Sequence, residues 1–145
     1  MREFLVTFEI AKQAKEKGFN WPTDHYYEES LTESVDEQDG TSGPFGWKKG
    51  ERNLQLGYMI NNHDKTDLSS ESWYVCSVPL CGQLQKWLRD EHNLHIAIGN
   101  GDISNTWNYE IYTIGKIDIN KSTDFKFKTY EDALEAGLLE ALKLI

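Results

Sequence analysis

His92 and His95 lie three residues apart, a spacing that on a helix puts two imidazoles on one face and could hold a transition metal. Asn93 between them reads as a helix stop, and Leu94, Ile96 and Ile98 beyond it alternate as a strand does. The two rings are therefore not expected to converge, and no HExxH motif is present. Asn62, Asp64, Asp67 and Glu71 supply oxygen ligands, but their spacing and the missing central glycine depart from a calcium loop, so a solvated turn is the plainer reading. Ser77 and Cys81 lie near an expected helix N-terminus, where the dipole would lower a thiol pKa. Neither has a recognisable base beside it, and no GxSxG elbow exists. Phosphate-cradling GxxxxGK[ST] and GxGxxG loops are absent too. The sequence thus assigns no catalytic, cofactor-binding or metal-ligating set, and no cofactor is expected.

Charge carries the next signal. The densest run is Glu28, Glu29, Glu33, Asp36, Glu37 and Asp39, within a chain of 24 acidic and 15 basic residues and net charge -9. Binding to a nucleic-acid backbone relies on Lys and Arg releasing counterions, so direct nucleic-acid binding is not expected. Such a run usually solubilises a loop. The sharper alternative is a DNA mimic whose carboxylates occupy a basic groove on an enzyme, but the Gly-rich continuation argues against the fixed geometry a mimic needs. Cys76 and Cys81 match neither a CxxC pair nor a zinc half-site and read as reduced packing residues.

These residues must be positioned by elements that the pattern also predicts. A chain of 145 residues, 39% hydrophobic and 12% aromatic, fits a single globular domain spanning 1–145. Its first apolar run is broken by Glu9 and Lys12, too short for a signal-peptide core or a bilayer span, so a cytoplasmic protein with no membrane partner is expected. Thr7 reads as the cap of a helix near 8–17, ended by Gly18-Phe19, and Phe8, Ala11 and Ala14 form its contact face. His25-Tyr26-Tyr27 starts a strand. Residues 28–50, acidic and then Gly-rich, read as a mobile loop. Leu54, Leu56, Tyr58 and Ile60 alternate as a strand that would pair with 73–76 as a hairpin.

The organising stretch is 77–98. Leu80, Leu84, Trp87 and Leu88 share one helical stripe near 79–92, with Ser77 as the cap candidate and Pro79 in the first turn, running into the strand of Leu94, Ile96 and Ile98. Gly99-Asn100-Gly101-Asp102 turns into a second arm, Trp107 to Ile114, and Phe125 and Phe127 suggest one more short strand. Thr129 caps a last helix near 130–143, whose stripe is Tyr130, Ala133, Leu134, Gly137, Leu138, Ala141 and Ile145. Leu139 and Leu142 project off that stripe, toward a second element or a second chain. The fold class is α+β, about three helices packed on an antiparallel or mixed sheet of four to six strands.

The block CSVPLCGQLQKWLRDEHNLHI, with Leu84-Gln85-Lys86-Trp87-Leu88-Arg89 at its centre, resembles small uncharacterised proteins associated with phages and prophage-like elements of gut bacteria. The ending TYEDALEAGLLEALKLI and the opening EIAKQAKEKGF are similar as well, together about a third of the chain, whereas residues 28–72 have no counterpart. The resemblance implies a mobile-element context and carries over neither an activity nor a site residue. The function expected from all this is a non-enzymatic binding or accessory protein with a protein partner or self-association. Its candidate contact surface is Trp21, Tyr26, Trp47, Leu139 and Leu142. The alternatives are the acidic DNA mimic and a small hydrolase or metal-dependent enzyme with an Asp/Glu/His site.

Overall fold

The computed structural model describes residues 4–30, 52–61, 73–101, 105–116 and 119–145. In chain order the elements are α1 (Phe8–Glu16), β1 (Thr23–Ser30), β2 (Arg52–Met59), β3 (Trp73–Ser77), α2 (Cys81–His92), β4 (Leu94–Asn100), β5 (Trp107–Thr113), β6 (Ile119–Ser122) and α3 (Tyr130–Lys143). The class is α+β, as the sequence predicts, and the strands form two antiparallel sheets of three, ordered β2-β1-β3 and β4-β5-β6. Chain contacts divide the molecule into two compact units, Met1–Phe19 with Pro79–Ile145 and Asn20–Val78. No helix of the described residues is long and apolar enough to cross a membrane.

The first unit holds the three helices and the sheet β4-β5-β6. Thr7 caps α1, its Oγ1 accepting from the Ile10 N–H. Gly18, at φ 94°, closes the helix, with the Phe19 N–H on the Ala14 carbonyl and the Gly18 N–H on that of Lys15. That turn delivers Phe19 into the core, edge-on to Trp87 with ring centroids 5.4 Å apart. Trp87 is only 2% exposed and sits with Leu84 and Leu88 on the buried stripe of α2. Burial of each such side chain stabilises the fold by roughly 1.5–3 kcal/mol. Asn93 then takes the left-handed conformation, φ 55°, and the chain passes directly into β4, whose Leu94 and Ile96 are buried.

The start of α2 corrects an expectation. Ser77 is not its cap: it ends β3, and its N–H donates to Asn61 Oδ1 at 2.8 Å. The N-cap is Leu80, without a side-chain cap, and Pro79 precedes the helix. Backbone supplies what a side chain would have: Leu80 bridges Leu5, and the Cys81 N–H donates to the Phe4 carbonyl at 2.8 Å. At the other end of the unit Thr129 caps α3 as predicted, accepting from the Asp132 N–H at 3.0 Å. Gly137 lets α3 approach β4 and β5, since a Cβ there would stand 2.9 Å from Ile96 Cγ2 and 3.2 Å from Tyr109. Phe127 forms only an isolated bridge with Trp107, so the third strand is β6, a polar stretch with no apolar alternation to announce it.

In the second unit β1 is central. Arg52 to Met59 pairs on one side of it and Trp73 to Ser77 on the other, so the predicted hairpin of 54–60 with 73–76 does not form. A local pairing was the natural guess, but the polar stretch TDHYYEES is the strand both neighbours share. β1 continues through Ser30, so Glu28 and Glu29 are strand residues; the rest of the loop expected over 28–50 lies outside the described residues. Between His25 and Thr23 the chain advances two residues on β1 and three on β2, from Leu56 to Met59, placing a bulge on β2.

Candidate functional site

Each group singled out for chemistry has a definite place. His92 ends α2 and stacks edge-on against Trp87, with ring centroids 4.5 Å apart. His95 lies on β4 opposite Tyr112, whose hydroxyl donates to Glu110 Oε2. That hydrogen bond, followed by desolvation, pushes the Tyr112 phenol above its ordinary range. The Nδ1 of His95 is buried with no protein partner. Among the described residues no group of three or more His, Cys, Asp or Glu could hold a metal ion. The oxygen-rich stretch Asn62, Asp64, Asp67 and Glu71 lies outside the described residues.

Cys81 opens α2, where the helix dipole would favour a thiolate, yet burial and then the Glu135 carboxylate push its thiol up to about 12. At 2% exposed, Cys81 is a packing residue of the core. Ser77 Oγ is buried and without a hydrogen-bond partner. Of the acidic run, Glu28 and Glu29 are half-buried on β1, and Glu29 lies 3.8 Å from Arg52; Glu33, Asp36, Glu37 and Asp39 lie outside the described residues.

The predicted contact residues divide. Trp21 is half-buried. Tyr26, also half-buried, lays its ring over Gly57, where a Cβ would come 3.0 Å from Cε1. Trp47 lies outside the described residues. Leu139 is half-buried and lines a cleft beside α1, whereas Leu142 is fully buried in the core and contributes nothing to a surface. Helix α1 packs against α3, and Leu139 lines the cleft together with Ile10 of α1.

Sequence reasoning missed the most exposed apolar row among the described residues. On β2, Leu56 is 79%, Tyr58 69% and Leu54 47% exposed. Leu54 and Leu56 stand opposite Tyr27 and His25 in the ladder and share one face of the sheet, while Tyr58 falls within the bulge. Across that same face the burial changes sharply, because Tyr27 also pairs with Cys76 on β3, which is fully buried. Desolvation accordingly raises the Tyr27 phenol pKa, with the Cys76 thiol adding to it. One edge of the sheet therefore presents leucines to water while the other is covered. Alternation along β2 was visible in the sequence, but alternation identifies a shared face without saying whether anything covers it. Arg52 is the only charged residue of the strand, so the row can meet another surface without burying a carboxylate. No family model, curated protein or solved structure matches this chain.

Proposed function

We propose that the chain is a non-enzymatic binding protein that engages a protein partner through Leu54, Leu56 and Tyr58. It acts as an accessory of a phage or other mobile element in the bacterial cytoplasm. The observation that carries this reading is the exposure of two leucines and a tyrosine on the outermost described strand of the β2-β1-β3 sheet. Exposed apolar side chains grouped in this way mark contact surfaces, and burying one of them fully is worth roughly 1.5–3 kcal/mol. The mobile-element context rests on the likeness of residues 9–19, 76–96 and 129–145 described above.

The test is affinity capture from phage-infected or lysogenic cells with the wild-type chain and with the double variant Leu56→Asp/Tyr58→Asp. Both positions face water, so the variant should keep its fold within about 0.5 kcal/mol at each site. The expected result is a partner retained by the wild type and lost, by about tenfold or more, with the folded variant. Equal recovery by both chains would overturn the assignment of the surface.

A further inference from the structure

Within the unit built on β4-β5-β6, α1 and α3 run side by side in the same direction. Thr7 and Thr129 cap their first turns, and beyond their last turns Lys17 Nζ donates to the Ile145 carbonyl at 2.6 Å. The segment Lys126–Lys128, held to Trp107 by backbone hydrogen bonds, leads into the α3 cap. These three pieces enclose an open cleft of about 460 Å³. Its apolar lining comes from Ile10 of α1, Phe127 of the connecting segment, and Ala136 and Leu139 of α3. The acidic residues Glu9, Asp132 and Glu135 and the basic residues Lys126 and Lys128 line the same cleft.

These charges of both signs share one cleft without neutralising each other. The ion pairs among the described residues are Arg52–Glu29, Lys86–Asp90, Lys121–Glu140 and Lys143–Glu140, and none involves a cleft residue. Lys126 instead places its Nζ 5.4 Å from the centroid of the Phe127 ring, and Glu9 accepts from Gln13 Nε2. Pairing such flexible side chains with one another gains little, because ordering both ends offsets most of the attraction. A ligand that carries both charges on one short skeleton meets both sets at once and starts with less freedom to lose.

We infer that this cleft binds a small zwitterion, an ammonium and a carboxylate on an apolar body, of which a free amino acid with a leucine-like or phenylalanine-like side chain is the simplest form. The volume lies within the range of small-molecule sites, and the apolar lining with a few convergent polar groups is their usual construction. A simple anion is opposed by the carboxylates and a simple cation by the lysines. Burial, and then Asp132, pushes the Glu135 carboxyl above its ordinary range, so an arriving ammonium would relieve a charge that the site holds at a cost. This site belongs to a different unit from the β2 row and stands or falls independently of the proposed protein-binding surface.

The experiment is a titration of the full chain, followed by calorimetry and by amide shifts at Ile10 and Leu139, with L-leucine, L-phenylalanine, N-acetyl-leucine and leucinamide as probes. Saturable binding of the free amino acids is expected, with N-acetyl-leucine and leucinamide each weaker by about tenfold or more. Glu135→Gln and Lys128→Gln should each weaken leucine binding severalfold while circular dichroism stays unchanged. Failure of either amino acid to saturate in the millimolar range would overturn the inference. Blocked derivatives that bind as well as leucine itself would overturn it too.

Discussion

Gly137 shows how much one missing methyl group can decide. Alanine is the better helix former by about 1 kcal/mol, yet its Cβ would press on Ile96 and Tyr109 where α3 crosses the sheet. Gly137→Ala is therefore expected to lower stability by about 1–3 kcal/mol in chemical denaturation, the cost of overpacking. A gain in stability would show that α3 sits further from β4 and β5. Cys81 gives a second test at this scale. With its thiol pushed up to about 12, almost none of it is thiolate at pH 8. Alkylation followed by mass spectrometry should leave Cys81 unmodified in the native chain and modify it once denaturant is added. Rapid native labelling would contradict its burial.

At the scale of elements, helix ends closed by a capping residue were legible because capping is local, whereas the start of α2, which has no side-chain cap, was not. Thr7, Gly18, Asn93 and Thr129 all do what their residue types and positions suggest. Thr129→Ala should cost about 1 kcal/mol by removing the acceptor of the Asp132 N–H, measurable by thermal or chemical unfolding. Strand order was not legible, since pairing joins residues far apart in the chain and depends on surroundings more than on composition. Thus β1 was read only as the start of a strand and is the centre of its sheet, and β6 carried no apolar alternation at all. What ties β6 to α3 is the hydrogen-bonded pair Lys121–Glu140 at 2.7 Å. That bond to Lys121 holds the Glu140 carboxyl below its ordinary range. Its contribution is present above the unfolded carboxylate range and lost as pH falls through the lowered folded value. Glu140→Gln should therefore flatten the acid limb of the stability profile, modestly because the lysine is well solvated. An unchanged acid limb would remove this pair from the explanation.

For the whole molecule, the candidate surfaces were half legible. Leu139 stood out in the sequence because it leaves the α3 stripe, and it does line a cleft; Leu142 stood out for the same reason and is core. Leu54 and Leu56 were recognised as strand residues sharing a face, but which faces stay wet depends on what the remaining chain covers, and no local pattern encodes that. The net charge of -9 adds a discriminating prediction. Binding through an apolar row should change little with ionic strength, whereas a mimic of nucleic acid would lose affinity steeply as salt screens its carboxylates. Affinity of a captured partner measured at low and at high salt separates the two.

Backbone hydrogen exchange across Arg52–Met59, compared between the free chain and the chain with its captured partner, addresses the proposed surface without relying on any substitution. Exchange should slow over that strand when the partner is bound. Protection confined to other segments, with 52–59 exchanging as fast as before, would contradict it.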